Sequence, residues 1–260
     1  MIAALLAPAH YSLAEAGPIE DAVAARIRGD YDAALRILKP LAEKGDATAQ
    51  SNLGFMYATG QGVKKDDAEA AKWYLRAAEK GRANAQFNIG TMYAKGEGVT
   101  QDHAQAQKWW LAAAEQKHAG AQYSLGMAYS KGEGVPRDDA EALKWWRRAA
   151  EQRDAPSQYS LGQAYANGQG VPKNVNEAAK WYFRAADQGH IPAQVDLGLA
   201  YENGQGVPPN YIEACMWFIV AAAKGDKIAI DNRDFLMKVM NPDQIAKAQK
   251  LAREWKPARQ

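Results

Sequence analysis

The sequence predicts an all-α fold, a solenoid of stacked antiparallel helix hairpins. A 36-residue unit returns five times without insertion or deletion. It carries an apolar residue before glycine, then a tyrosine, then a tryptophan: Leu53-Gly54, Ile89-Gly90, Leu125-Gly126, Leu161-Gly162 and Leu197-Gly198; Tyr57, Tyr93, Tyr129, Tyr165 and Tyr201; Trp73, Trp109, Trp145, Trp181 and Trp217. Ala49, Leu53 and Tyr57 follow the spacing of one helix face. Each copy must therefore stack on its neighbours to bury that face.

Residues 1–18 are predicted to be an apolar leader or the remnant of a signal peptide. The run ends near Ala14-Glu15-Ala16, which resembles an export cleavage site, although no basic residue precedes it. Two interpretations stay open. We expect a periplasmic or secreted protein, and the alternative is a cytoplasmic protein with a weakly ordered leader.

Residues 19–48 are predicted to form an N-terminal capping hairpin. It has the same helical pattern as the repeats, but the long loop is missing and Gly29-Asp30 makes a short turn instead. A solenoid needs such atypical ends, because a terminal repeat has one neighbour only.

Residues 49–228 contain the five repeats, each predicted to hold two helices and a glycine-rich turn. In "YAKGEGV" (93–99), Gly96 is expected to end the first helix in a left-handed conformation and Gly98 to supply a second positive φ. A reciprocal capping box is expected to open each second helix, in the pairs Asp66/Glu69, Asp102/Gln105, Asp138/Glu141, Asn174/Glu177 and Asn210/Glu213.

Small residues are predicted to let helix backbones approach closely. Gly54 and Ala70, with their equivalents, are expected at this contact, while Trp73 fills the wedge between hairpins. Lys117 and Arg153 replace a glycine found between the other repeats, so two inter-repeat turns are expected to differ in detail.

Residues 229–260 are predicted to be C-terminal capping helices. Asn241-Pro242 has the residues of a helix start, with a capping side chain followed by proline in the first turn. Ala248, Leu251 and Trp255 are expected to cover the last exposed core face.

Composition argues against several function classes. The 32 basic and 30 acidic residues are interspersed and give a net charge of +2, whereas a nucleic-acid binder would show a basic stripe. No apolar run is long enough for a transmembrane segment. Cys215 is the single cysteine and lies in an apolar helical run, which is typical of a buried thiol. No catalytic, cofactor-binding or metal-binding pattern is present, so we expect a non-enzymatic chain without cofactors.

The repeat unit resembles the Sel-1-like repeat, a relative of the tetratricopeptide repeat with a longer inter-helix loop. The match rests on A-Q-x-x-L-G-x-x-Y-x-x-G-x-G-V-x-x-D-x-x-x-A-x-x-W-x-x-x-A-A and covers residues 49–228 strongly. The resemblance implies a right-handed α/α superhelix that serves as a scaffold or adaptor for protein contacts, in some members as a regulator or inhibitor. Bacterial members are often exported.

The resemblance also implies that the first helices line a concave groove, where we expect a protein or peptide partner to bind a chain that is itself a monomer. Positions that vary between copies are the candidate contacts: Asn52, Phe55, Phe87, Asn88, Lys95, Tyr123, Ser124, Met127, Lys131, Tyr159, Ser160, Gln163, Asn167, Asp196 and Asn203. One alternative is that Phe87, Tyr123 and Tyr159 only pack against the preceding hairpin.

A different function stays open because the chain has 8 Trp and 12 Tyr. Each second helix carries an aromatic pair: Trp73-Tyr74, Trp109-Trp110, Trp145-Trp146, Trp181-Tyr182 and Trp217-Phe218. Adjacent helical residues point about 100° apart, so the first ring is expected in the core and the second on the next hairpin or partly exposed. Exposed rings would suit a cell-wall or saccharide ligand, or an enzyme acting on one.

Overall fold

The computed structural model describes residues 17–258, and every regular element in that range is an α-helix. The described part of the chain divides into two compact units, one ending at Gln101 and the other beginning at Asp102, which are described separately. Most of the predicted leader, residues 1–16, lies outside the described residues. Gly17 and Pro18 belong to the start of the first helix.

The fourteen helices within residues 17–258 are short and of similar length. Their bounds are α1 Pro18–Ile27, α2 Tyr31–Glu43, α3 Ala47–Thr59, α4 Asp67–Glu79, α5 Ala83–Lys95, α6 His103–Glu115, α7 Ala119–Lys131, α8 Asp139–Glu151, α9 Ala155–Asn167, α10 Val175–Asp187, α11 Ile191–Asn203, α12 Tyr211–Ala222, α13 Lys227–Val239 and α14 Pro242–Glu254.

In the first unit, helices α1 to α5 pack against each other in chain order. Leu38 of α2, Leu53 and Met56 of α3 and Trp73 of α4 share one buried cluster. Trp73 therefore lies between hairpins, as predicted. The short turn at Gly29 has a φ of 82°, which confirms a compact link between α1 and α2.

In the second unit, helices α6 to α12 also pack in sequence, and α12 contacts both α13 and α14. Trp181 of α10 lies in a buried cluster with Ala142 and Trp146 of α8. The same arrangement in both units confirms the predicted all-α fold of stacked helix hairpins.

The helical glycines accommodate an aromatic ring, whereas the sequence predicted that they would accommodate a neighbouring backbone. A Cβ atom on Gly162 would lie 2.5 Å from Tyr182 Cδ1, and one on Gly198 would lie 2.6 Å from Phe218 Cε1. The ring belongs to the second residue of each aromatic pair. That residue is therefore buried within its own hairpin, and Phe218 has 0% of its surface exposed.

The two glycines of each glycine-rich turn have different structural roles. Gly96 ends α5 with a φ of 71°, as predicted, and its N–H bonds to the carbonyl of Met92. Gly98 has a φ of 68°, and a Cβ there would collide with the backbone of Asp67 in the preceding repeat. Gly134 and Gly170 lie in the same way against His103 and Asp139. The second glycine is thus a contact between repeats as well as a turn residue.

The predicted reciprocal capping box forms only in half. Glu69 N–H donates to Asp66 Oδ1 at 2.9 Å, so the cap is present. The N–H of Asp66, however, already donates to the carbonyl of Tyr57 at 3.0 Å. The Glu69 carboxylate accepts from Lys72 instead, at 3.0 Å. The tight turn occupies the donor that a full box would need.

Buried glutamines connect each first helix to the preceding repeat, a role that the sequence analysis did not identify. Gln158 Nε2 donates to the carbonyl of Ala150 at 3.1 Å, and Gln194 Nε2 donates to that of Ala186 at 3.1 Å. Gln50, Gln86 and Gln122 make the same bond to a carbonyl eight residues back. Each bond satisfies a carbonyl at the end of a second helix.

The C-terminal helix begins and packs as predicted. The Asn241 side chain accepts from Gln244 N–H at 2.9 Å, and the Gln244 side chain accepts from Asn241 N–H, which completes a capping box. Ala248 is fully buried, while Leu251 and Trp255 cover the cluster around Trp217.

The turns at Lys117 and Arg153 do not differ from the others, contrary to the prediction. Lys117 has a φ of 65° and Arg153 a φ of 67°, against 82° at Gly81 and 88° at Gly189. Both residues adopt the left-handed conformation that glycine adopts elsewhere. This conformation costs a residue with a Cβ about 1–2 kcal/mol.

The ring contact predicts the effect of adding one methyl group. We expect Gly162→Ala to lower the free energy of unfolding by about 1–3 kcal/mol, because the Tyr182 ring must move. Thermal denaturation followed by circular dichroism measures the loss. Combining it with Tyr182→Leu should recover part of the stability. An unchanged melting temperature in Gly162→Ala would contradict the close contact.

The strained turns predict stabilising substitutions. We expect Lys117→Gly and Arg153→Gly each to raise the free energy of unfolding by about 1 kcal/mol, since glycine relieves the left-handed strain. Lys108→Gly, at an exposed position in the middle of the helix that precedes Lys117, is the matched control and should destabilise by about 1 kcal/mol. Destabilisation by all three variants would show that the turns carry no strain.

Candidate protein-binding surface

The residues predicted to line the groove lie on first helices and differ in exposure. The exposed ones are Lys95, Lys131, Gln163, Asn167 and Asn203. The half-buried ones are Asn52, Phe55, Phe87, Asn88, Tyr123, Ser124, Met127, Tyr159 and Asp196. Ser160 is buried, with 8% of its surface exposed. We call these positions the first-helix face. The exposed members are accessible to solvent, whereas Ser160 is covered.

Tyr159 is the centre of a polar group on this face. Its hydroxyl donates to Asp196 Oδ2 at 3.0 Å and accepts from Gln163 Nε2 at 2.9 Å. Its ring centroid lies 4.8 Å from that of His190. Burial raises the pKa of the Asp196 carboxyl, and burial together with that carboxyl raises the pKa of Tyr159. The group joins α9 to α11.

Tyr123 makes the corresponding bond one repeat earlier, to Ser160. Ser160 and Asp196 are equivalent positions, 36 residues apart. Tyr123 and Tyr159 therefore pack against the following hairpin, whereas the alternative interpretation expected the preceding one. Their hydroxyls stabilise the stack, and the rings keep a partly exposed side.

Other members of the face are bonded within their own unit. Asn52 Nδ2 donates to the carbonyl of Thr48 at 2.9 Å, and Asn203 Nδ2 donates to that of Leu199 at 3.0 Å. The Arg26 guanidinium lies 4.8 Å from the centroid of the Phe55 ring. These contacts hold the side chains in place.

The opposite surface, which we call the second-helix face, carries grooves that the sequence analysis missed. One open groove of 330 Å³ lies between α8 and α10 and is lined by Ala150, Glu151, Arg153, Gln158, Trp181, Phe183, Arg184, Asp187 and Gln188. A groove of 450 Å³ between α6 and α8 is lined by equivalent residues 36 positions earlier, including Lys117 and Gln152. The grooves recur because the repeat recurs.

Most aromatic pairs are buried. Trp73, Trp145, Trp181 and Trp217, together with their neighbours Tyr74, Trp146, Tyr182 and Phe218, are each at most 8% exposed. Trp109 and Trp110 are half-buried. Three tryptophans are further covered by an arginine of the same helix, in the pairs Trp73/Arg76, Trp145/Arg148 and Trp181/Arg184. These eight buried rings do not form a stacking platform.

Groups that could support chemistry are few in the described part of the chain. Cys215 is fully buried, and burial raises the pKa of its thiol to about 11, so it is protonated at neutral pH. Among residues 17–258, no three His, Cys, Asp or Glu side chains are grouped closely enough to hold a metal ion. No helix in that range is long and apolar enough to cross a membrane.

Comparison with known proteins identifies the repeat. The Sel1 repeat profile matches residues 47–81, 83–118, 119–154, 155–190 and 191–226. A Sel1 repeat protein from Oxalobacter formigenes is 34% identical, with a TM-score of 0.80 over 92% of this chain and 100% of that chain. The immunity protein Pa5087 from Pseudomonas aeruginosa is 21% identical, with a TM-score of 0.52 over 85% and 88% of the two chains. No curated protein matches the sequence.

Two histidine caps predict a pH dependence. His190 Nδ1 accepts from Ala193 N–H at 3.3 Å, and His118 Nδ1 accepts from Ala121 N–H at 3.1 Å. Burial lowers the pKa of both histidines in the folded chain from 6.5. The neutral caps are thus fully present above pH 6.5, and their stabilisation is lost as the pH falls below it.

We expect the double variant His118→Asn/His190→Asn to lose less stability than the unaltered chain between pH 7 and pH 5. Asparagine caps a helix without titrating in this range. Thermal melts at half-unit pH steps measure the difference. Parallel curves for the two proteins would contradict a role for the histidine caps.

Proposed function

The chain belongs to the Sel1 repeat family, whose members are generally non-enzymatic protein-interaction scaffolds, and we propose that it binds a protein or peptide on its first-helix face. The observation that carries the proposal is the contrast between repeated core positions and varied surface positions. Leu53 and its equivalents are all Leu or Ile, whereas two residues further on the chain has Phe55, Thr91, Met127, Gln163 and Leu199. The Leu or Ile positions repeat because the core packing repeats. Nothing in the fold requires the positions two residues further on to vary.

The chemistry of the face supports a protein partner. Tyr123, Met127 and Tyr159 present apolar surface beside the exposed amides of Gln163 and Asn167. Aromatic residues and methionine are enriched where proteins contact each other. Because Tyr159 is already hydrogen-bonded to Asp196, little conformational entropy is lost when a partner covers its ring.

The saccharide alternative depended on exposed aromatic pairs. Trp181 and Tyr182 are each 8% exposed, and their equivalents in three of the other four repeats are similarly covered. A sugar ring could reach them only by opening a hairpin. The proposal of a protein partner is therefore the better supported one.

The exposed positions give the sharpest test. We expect the triple variant Lys131→Glu/Gln163→Glu/Asn167→Glu to weaken retention of a captured partner at least about tenfold. All three side chains are exposed, so the fold should be kept, with a small fall in melting temperature from the lost bond between Gln163 and Tyr159. Binding is measured by surface plasmon resonance with the partner captured by the unaltered chain from a bacterial extract.

The matched control alters charge on the second-helix face. Lys144→Glu/Lys180→Glu changes two exposed residues there and should leave binding of that partner within about twofold. If the control abolishes binding and the triple variant does not, the partner binds the other face and the proposal is wrong.

A further inference from the structure

The C-terminal tail occupies a groove on the second-helix face. After α14 ends, Trp255 has an extended backbone, with φ −65° and ψ 135°. Its ring lies edge-to-face on Trp217 of α12, with 5.9 Å between the centroids. Ala258 N–H donates to the carbonyl of Asp187 at 2.8 Å. The segment from Trp255 to Ala258 is thus seated as an extended peptide, which we call the tail.

Pro257 packs over Gly189 at ordinary van der Waals distance. Its Cβ and Cγ atoms lie 3.9 Å from where a Cβ on Gly189 would be, and the far edge of the Trp255 ring lies 4.0 Å from that point. A tryptophan and a proline two positions later therefore cover the turn between α10 and α11. This contact defines the tail groove, between α10 and α12.

The open groove between α8 and α10 is the equivalent of the tail groove, 36 residues earlier. Trp181 takes the place of Trp217, Glu151 that of Asp187, and Arg153 that of Gly189. All three line the open groove. Glu151 ends α8 as Asp187 ends α10, so its carbonyl corresponds to the one that accepts from the tail.

The open groove also holds two buried polar atoms without a hydrogen-bond partner in the described chain. They are the indole N–H of Trp181 and Oε1 of Gln188. Trp181 is 8% exposed, and both residues line the groove. An unpaired buried donor and acceptor each cost stability. The same unpaired indole N–H occurs at Trp73, Trp109 and Trp145, so it is a feature of the repeat and does not by itself single out this groove.

One substitution separates this groove from the groove between α6 and α8. Phe183, 48% exposed, borders the open groove, and the residue 36 positions later is the apolar Ile219. In the earlier groove the equivalent is Arg147, which donates to the Tyr165 hydroxyl at 2.8 Å. An apolar wall thus favours the α8/α10 groove for an aromatic side chain.

We infer that the open groove between α8 and α10 binds an extended segment of a partner protein, with an aromatic residue two positions before a proline. The aromatic ring packs beside Trp181 and Phe183. The backbone N–H after the proline donates to the carbonyl of Glu151. The chain's own tail shows this binding mode one repeat away, on a surface separate from the first-helix face.

A synthetic peptide that copies residues 254–258 is the probe. We expect the full chain to bind the labelled peptide saturably with one-to-one stoichiometry, measured by fluorescence anisotropy. Replacing the peptide's tryptophan by alanine should weaken binding at least about tenfold. Arg153→Gly reproduces the glycine of the tail groove and should strengthen binding about threefold or more.

Phe183→Glu should weaken peptide binding at least about tenfold, because it places a charge on the apolar wall. Phe235→Glu is the matched control, since Phe235 is 55% exposed on α13, away from the groove, and its binding should equal that of the unaltered chain. The triple variant of the first-helix face should also bind normally, which separates this inference from the proposed function.

Three results would overturn the inference. The first is no saturable binding by either the unaltered chain or Arg153→Gly. The second is equal loss in Phe183→Glu and Phe235→Glu. The third is peptide binding that is seen only in the variant Trp255→Ala, because the peptide would then be entering the tail groove that this variant empties. Binding that appears only when the chain dimerises at high concentration would count in the same way, since the tail would then be exchanging with a second copy.

Discussion

The structure depends on a ring that packs against a bare helix backbone. In each hairpin of the second unit for which the contact is described, the second aromatic of the pair lies on the helical glycine of its partner helix, as Tyr182 does on Gly162. The glycine brings the two helices to the distance at which the alanines beside them are also buried. Because this distance is the same in successive copies, one geometry of stacking serves them all. The chain can then repeat at 36 residues without adjustment.

Two further contacts join one hairpin to the next. A buried glutamine such as Gln158 bonds to the last carbonyls of the preceding second helix, and the second loop glycine rests on that helix's first residue. The contacts act at opposite ends of the same helix, so together they fix both its position and its tilt. The positive φ at Lys117 and Arg153 follows from this, since the turn geometry is imposed even where no glycine supplies it.

Repetition of the core also repeats the surface, and the two faces use it differently. On the first-helix face, core spacing presents side chains that vary from copy to copy, such as Met127 and Gln163. On the second-helix face, successive second helices leave similar grooves, one of which is filled by the tail through Trp255 and Pro257. The two surfaces that we propose for recognition therefore differ in character, because one is set by variation and the other by a recurring shape.

The residue pattern alone predicts the hairpins, the side chains that cap their helices, both glycines of the turn and the cover supplied by Ala248, Leu251 and Trp255. These features depend on local periodicity and backbone preference, which are visible within one repeat. It did not reveal that an aromatic ring packs on the helical glycine or that Tyr159 bonds to Asp196 and Gln163. It also did not reveal that the Tyr57 carbonyl accepts from the Asp66 N–H, which a full capping box would need. It also gave no sign of the grooves or of the tail's seat at Gly189. Those features depend on how the helices pack and on which atoms then meet, and the spacing of residue types along the chain does not report such contacts.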